Sequence, residues 1–368
     1  MKGQVKFIDK DKSAFYTTLR ENVDRYFSDN NISKNANSTM VIKTIVLMTM
    51  YLGPLAIISI FHPPFATSIL LWGVMGFGLA GIGMSVMHDA NHGAYSSNEM
   101  VNKVMGHSLI LLGGSVFNWK LQHNILHHTY TNITDLDEDI DNKLVLRFSP
   151  HTKSHSFHRF QKFYALFFYG IMTLYWCTLK DFIQFAKYAR NKVNTKSTGE
   201  NIQKLTEIIA GKIVYYFVFF WIPVFIAGVP FMEILPGFIL MHFIAGIILT
   251  VVFQLAHTVE GTDHPMPDEN GNIENSWAIH QMNTTKNFSR KNKWISWYVG
   301  GLNFQIEHHL FTRICHVHYP KIAPIVKKTA EEFGIPYMEN ENFFVAIKSH
   351  FAVLQKFGKL PDLDTAIG

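Results

Sequence analysis

The 368-residue chain has only two cysteines, Cys177 and Cys315, far apart in sequence. That excludes a disulfide-stapled scaffold, and two lone thiols fit a reducing compartment better than a bridge. Charge is scarce too: Asp, Glu, Lys and Arg make up 17% of residues, against about 25% in a typical soluble domain. Disorder is excluded by an apolar content of 48%. No solenoid-type repeat or low-complexity tract is present, and no independent second domain is evident. The first forty residues, from Lys2 to Lys34 and beyond, are polar and hold no apolar core flanked by a cleavage signal, so no signal peptide is expected. What remains is aromatic-rich, with 31 Phe, and histidine-rich, with 19 His. Mean hydropathy is only +0.08, too low for a chain that is nearly all membrane span, so a few spans carry a sizeable polar portion.

A transmembrane helix needs about 20 mostly apolar residues. Four segments meet this: Thr44 to Phe61 (44–61), Phe65 to Met87 (65–87), Ile213 to Val229 (213–229) and Phe231 to Ala256 (231–256), the last holding only Glu233 near its start. The very short links, His62-Pro63-Pro64 and Gly228 to Glu233, make two helical hairpins. Their tips carry no Lys or Arg, whereas the 33 basic residues lie on the other side. The positive-inside rule then places residues 1–43, 88–212 and 257–368, with both termini, in the cytoplasm. The predicted fold class is all-α: a polytopic, four-span membrane protein, residues 1–368 forming one domain with a cytoplasmic helical cap. Met105 to Phe117 is too short to span and reads as re-entrant or interfacial. Phe163 to Leu179 is long enough for a tilted span, but a crossing there would put histidine clusters on opposite faces, so it is expected in the interface. Phe15, Leu19, Val23 and Tyr26/Phe27 recur at helical spacing, predicting an amphipathic helix on the bilayer or on the protein itself.

Three histidine groups stand at the cytoplasmic edges of these spans. They are His88-Asp-Ala-Asn-His92, His123-Asn-Ile-Leu-His127-His128 and Gln305-Ile-Glu-His308-His309. Two imidazoles four apart share a helix face and can bind one ion. An adjacent pair points two ways and can serve two ions. The groups supply seven neutral nitrogen donors and no thiolate, and a structural site closes at four ligands, so two metals are implied. Imidazole suits iron, zinc, copper and nickel alike. His257, at the end of the fourth span, is an eighth candidate ligand. Gln305 is a candidate outer partner, acting through water or behind the ligands. The other histidines carry less. His151, His155 and His158 flank Lys153 and Arg159 and read as a solvated or interfacial loop. His62 sits on the outer tip, and His242, mid-span, reads as a neutral packing residue or one facing a cavity. His107, His280, His316 and His318 are open as outer partners. The acidic run Asp135 to Asp141 is placed to orient cluster histidines, but an exposed loop is its default reading.

The strings HDANH, HNILHH and QIEHH resemble those of the membrane-bound fatty acid desaturases, non-haem di-iron enzymes with three histidine boxes. Gln305 opening the third box is similar to the front-end subgroup, which desaturates between an existing double bond and the carboxyl end. The resemblance runs from about Phe15 to His318 and includes Tyr26-Phe27 and Trp277 to Phe288. It implies metal-ligand roles for His88, His92, His123, His127, His128, His308 and His309, with His257 as the additional ligand. It implies two iron ions, O2 as co-substrate, and a cis double bond introduced into a fatty acyl chain, of delta-5 or delta-6 type. The acyl carrier (lipid, CoA or acyl carrier protein) stays open. The His-Pro-Gly-Gly string of a fused cytochrome b5 domain is absent, so electrons are expected from a separate donor, a ferredoxin or a free cytochrome b5. No nucleic-acid partner is expected.

A hydroxylase or other lipid-chain oxidase on the same scaffold is the nearest rival, since three boxes do not set the outcome at the bound carbon. A metal-binding membrane transporter is the rival from another class. It requires donors through the span interiors, where only His242 lies.

Overall fold

A computed structural model describes residues 5–9, 14–140 and 145–362. Lys2, and Asp141 at the end of the acidic run, lie outside the described residues. Those described are mostly helical. Strand structure among them is confined to two parallel pairings of two residues each, Lys6–Phe7 with Asn272–Ile273 and Asn287–Phe288 with Glu339–Asn340.

Four helices are long and apolar enough to cross a membrane: Ser38–Phe61, Phe65–Asn91, Thr198–Ile226 and Phe231–His257. They are the four expected segments, lengthened chiefly at their polar ends. The largest extension is before Ile213. Ser197 and Glu200 form a reciprocal capping box, the Ser197 Oγ accepting from the Glu200 N–H while Glu200 Oε2 accepts from the Ser197 N–H. That cap starts the helix at Thr198 and satisfies orphan donors of its first turn. Phe163 to Leu179, part of the continuous helical run from Gln161 to Arg190, is not among the span-length apolar helices. Around Met105 to Phe117 the chain is helical over Glu99–Leu111 and Val116–Tyr130 and bends by 107° between them. Such a bend makes either a broken span or a re-entrant loop, and the sequence expectation is the second.

The chain divides into two compact units. One comprises Ala36–Leu121 and Leu166–Val251 and holds the apolar helices. Close helix approach there rests on small residues, the usual solution where lipid removes the hydrophobic drive between helices. A Cβ at Gly78 would come within 2.8 Å of the Tyr51 backbone nitrogen, and one at Gly246 within 2.5 Å of the Tyr169 carbonyl. Two buried polar side chains inside this unit, His242 and Lys212, are held by hydrogen bonds. His242 Nδ1 donates to Thr173 Oγ1 (3.0 Å), because that hydroxyl gives its own proton to the His242 carbonyl (2.7 Å). Its Nε2 then accepts from the Tyr215 hydroxyl at 2.6 Å. His242 is therefore a neutral packing residue with both ring nitrogens used. The Lys212 ammonium bonds the Gly113 and Trp176 carbonyls and the buried Asp181 carboxylate at 2.6–2.8 Å, tying the bend at Gly113 to two helices.

The other unit comprises Met1–Asn35, Gln122–Ala165 and Val252–Gly368. The amphipathic helix forms over Phe15–Asp29, and its buried stripe is Phe15, Leu19, Val23 and Phe27. That stripe joins one core with Ile322, Ala323, Val326 and Ala330 of the helix Tyr319–Glu332. Of the two settings expected for this helix, packing on its own protein is the one adopted.

Candidate metal centre

Ser115 begins the second-box helix by accepting from the Asn118 N–H. Over Lys120–His127 the helix widens into a π-type turn, a feature that recurs at functional sites. The wider turn changes which histidines meet. His123 and His128, five apart, bring their Nε2 atoms to 3.3 Å. Two nitrogens about 2.0–2.1 Å from one tetrahedral ion stand about 3.3–3.4 Å apart. His123 also stays near His127, as the α-helical spacing of four expects: these two and Asp139 offer ligand atoms within 4.8 Å of one another.

His127 also meets His257 and His309, and one ring nitrogen from each lies within 4.8 Å of the others. All three side chains are buried. Each Nδ1 is held by an oxygen: His127 by Asp137 (3.1 and 3.2 Å), His257 by the Thr284 carbonyl (3.3 Å) and His309 by Gln281 Oε1 (2.7 Å). An acceptor at Nδ1 fixes the tautomer with the proton there and leaves the Nε2 lone pair as the donor atom, the usual outer-shell arrangement around ligating histidines. The Nε2 atoms of His127 and His257 hydrogen-bond to nothing among the described residues. Buried polar nitrogens of that kind are costly unless something electropositive meets them. A cation among three convergent lone pairs satisfies both, and the all-imidazole donor set suits a first-row transition metal. The arrangement fits a metal.

Asp137 is fully buried and anchors this corner. Besides His127 it accepts the backbone N–H groups of Asn132 (2.9 Å) and Asp139 (3.0 Å). Burial alone pushes its carboxyl pKa up, but His127 and these two donors reverse that and hold it below the usual carboxylate range. Burial likewise depresses His127, and Asp137 with Asp139 more than offsets it, so the imidazole is raised overall. Negative charge is thus stored behind His127, where it favours a cation at the ring. The expectation of an exposed acidic loop is corrected here: Asp135 is exposed, but Asp137 is an interior residue held by three donors. Asn132, with φ +60°, gives its side-chain amide to the carbonyls of His257 (2.9 Å) and Asp263 (3.0 Å), capping the end of the fourth apolar helix.

The remaining box histidines group differently. His123 and His308 offer ring nitrogens within 4.8 Å of each other, their rings stacked at 5.8 Å. His128 stands between the sets, 4.6 Å from His308 and 4.5 Å from His309 by ring centroids. Trp277 Nε1 donates to the His128 carbonyl at 2.9 Å. The third box is rooted through Glu307, whose buried carboxylate accepts from Tyr337 (2.7 Å) and Asn287 (2.8 Å) and whose pKa is raised by burial. In the other unit His88 and His92 pair with each other, ring centroids 4.7 Å apart, beside Trp119.

Gln305 is buried at the start of the helix Gln305–Leu310. The amide that orients a candidate ligand is another one, Gln281, which also takes a hydrogen bond from Thr131 at 2.8 Å. Sequence reasoning missed it. Its only signal is membership of Trp277 to Phe288, the stretch noted for family similarity. His155 and His158 make local contacts: the His155 N–H donates to His158 Nδ1, and the His155 ring stacks on Phe157. His151 Nε2 bonds the His264 carbonyl, and His318 Nε2 the Asn35 carbonyl. His280 is buried against Phe7, and burial lowers its pKa to about 4.

Buried, convergent imidazoles at the ends of membrane-length helices are compatible with a metal-binding membrane protein. The family model for fatty acid desaturases matches residues 61–341, and the chain belongs to that family. It is 34% identical over 359 residues to the sn-1 linoleoyl-lipid 6-desaturase of Synechocystis sp., covering 97% of this chain and 98% of that one. Identity to the Arthrospira platensis protein of the same name is 35% over 350 residues, covering 95% of this chain and 94% of that one. The acyl-lipid (8-3)-desaturase of Physcomitrium patens is 34% identical over 367 residues, 97% of this chain and 74% of the longer relative. The protein is therefore a membrane oxidoreductase that desaturates fatty acyl chains.

Proposed function

We propose that the chain is a front-end acyl-lipid desaturase. It places a cis double bond at position 5 or 6, between an existing double bond and the carboxyl end, using O2, two non-haem irons and electrons from a separate ferredoxin or cytochrome b5. The observation that carries this reading is the set His127, His257 and His309, three convergent imidazoles each locked at Nδ1. The relatives named 6-desaturase and (8-3)-desaturase support the position.

His123, His128 and His308 serve the second ion in this reading. His88 and His92 of the first box are metal ligands too in this reading. When bound, the metals would supply the oxidising power that no side chain has, so that two hydrogens leave adjacent carbons and, with two electrons from the donor and two protons from water, O2 becomes two waters. The chain's own residues do the rest. Asp137, Gln281 and the Thr284 carbonyl fix the imidazoles, and Phe253, 4.9 Å from both the His127 and His257 rings, keeps that side of the set apolar. Acyl chains partition into bilayers at about 0.8 kcal/mol per CH2, so a centre at the ends of membrane helices meets substrate where it resides. Residues 1–368 act as one desaturase domain, with both termini and all boxes cytoplasmic, as the lysine- and arginine-free hairpin tips support.

Gas chromatography–mass spectrometry of lipids from cells expressing the chain, with and without fed polyunsaturated acids, tests this. A new double bond on the carboxyl side of an existing one, absent with His309→Ala, is the expected result. A hydroxylated product, or a bond toward the methyl end, refutes the front-end reading.

A further inference from the structure

Away from the histidines, a cavity of about 340 Å³ opens between residues 154–156 and Arg159 on one wall and residues 358–361 on the other. Both walls are rigidly joined. The Arg147 guanidinium, 1% exposed, donates to the carbonyls of Thr152 (2.9 Å) and Pro150 (2.7 Å) beside one wall, and to those of Phe357 (2.9 Å), Leu360 (2.6 Å) and Pro361 (3.3 Å) in or beside the other. Gly358 lets the last helix come down on the short 3-10 turn Ser156–Phe160, because a Cβ there would collide with the His158 carbonyl. A buried cation bonded to backbone carbonyls thus ties the two walls together.

Its rim is basic and its surroundings are apolar. Arg159 and Lys359 line it, both exposed, and Ser154 and Ser156 add hydroxyl donors. Neither stretch forming the walls, 145–165 and 343–361, contains an Asp or Glu; Asp362, one residue further on, acts on Arg147. Beside the rim Phe157, Phe160 and Phe163 stand 41%, 49% and 75% exposed. The Arg159 guanidinium lies 4.7 Å over the Phe160 ring, and the Lys162 ammonium 4.9 Å over that of Phe163. Cationic heads carried above bare aromatic rings are how a protein meets the headgroup layer of a membrane, rings toward the acyl chains and charges toward phosphate.

We propose that this pocket binds the phosphate headgroup of an anionic membrane phospholipid, with Phe157, Phe160 and Phe163 resting in the adjoining acyl boundary. The site is separate from the histidine centre and does not rest on the regiochemistry proposed above. Serine hydroxyls with Arg159 and Lys359 receive the phosphate oxygens, and the charge of Arg147 lies behind them.

The test uses the full chain purified in detergent, with lipid binding read by native mass spectrometry. Phosphatidylglycerol, phosphatidylcholine and inorganic phosphate are titrated separately. Phosphatidylglycerol is expected to bind more tightly than phosphatidylcholine. At about 1 kcal/mol per basic residue near an anionic surface, Arg159→Ala with Lys359→Ala weakens phosphatidylglycerol binding about 30-fold, and Arg159→Lys with Lys359→Arg keeps it. Lys359→Gln alone, the milder change should the double variant not fold, costs about 5-fold. Undiminished phosphatidylglycerol binding in the alanine double variant or in Lys359→Gln overturns the proposal. So does millimolar inorganic phosphate displacing the lipid, which identifies a free-phosphate site.

Discussion

Asp137 shows how a single carboxylate prepares an imidazole for a cation. It takes both oxygens to His127 Nδ1 and is itself held by two backbone N–H groups. Asp137→Asn keeps the volume but removes the charge, and loss of such an outer partner typically costs 10–100-fold in metal affinity. Metal retained per chain against graded chelator is expected to fall by that factor, with helical content by circular dichroism unchanged. Retention equal to wild type refutes the orienting role. The ligand assignment has its own contrast. His128→Ala and His309→Ala are expected to abolish desaturation, whereas His151→Ala, whose ring bonds only the His264 carbonyl among the contacts described, keeps most of it. An inactive His151 variant with normal expression means the loop after Pro150 belongs to the catalytic centre.

At the scale of elements, the apolar helices are held by backbone approach rather than by large side chains. Gly246 faces the Tyr169 and Gly170 carbonyls at 2.5 and 2.6 Å from where a Cβ would sit, whereas a Cβ at Gly73 meets nothing nearer than Ile244 at 3.8 Å. Overpacking costs about 1–3 kcal/mol, and backbone carbonyls cannot rotate aside. Gly246→Ala is therefore expected to lower the melting temperature in detergent by several degrees, and Gly73→Ala to leave it near wild type. Equal melting of the two variants contradicts close packing at Gly246.

For the whole molecule, a shared metal centre requires an even number of crossings between the second and third boxes. The third and fourth apolar helices supply two, provided the run Gln161 to Arg190 does not cross. A cysteine at Thr195, exposed beyond that run and outside the capping box, is expected to be labelled only from the cytoplasmic face. The native Cys177 and Cys315 are both buried and contribute little background. Labelling from the outer face means an odd number of crossings and breaks the single centre. Protein made aerobically with ample iron is expected to hold about two irons per chain, because eight imidazoles exceed one coordination sphere. A preparation fully active with one metal excludes the di-metal reading.

What sequence alone determined follows from local chemistry. Span-length apolar runs such as Phe65 to Met87 have few stable settings other than a membrane helix, and a histidine group such as His123 to His128 has few uses other than a metal. Those two facts carried the four helices, the family and the eight candidate ligands. The tertiary structure decided how the imidazoles sort. The π-type turn over Lys120–His127 brings His123 against His128 as well as His127, because helix type, and not spacing alone, sets which side chains face one another. It also decided the outer partners. Gln281 reaches His309 across 28 positions, and Thr131 reaches Gln281 across 150. Asp137 looks like surface charge in its acidic run, and His242, in its span, like a neutral packing residue or one facing a cavity. Each is made tolerable only by hydrogen bonds that chain folding brings to it, and no local pattern encodes those partners.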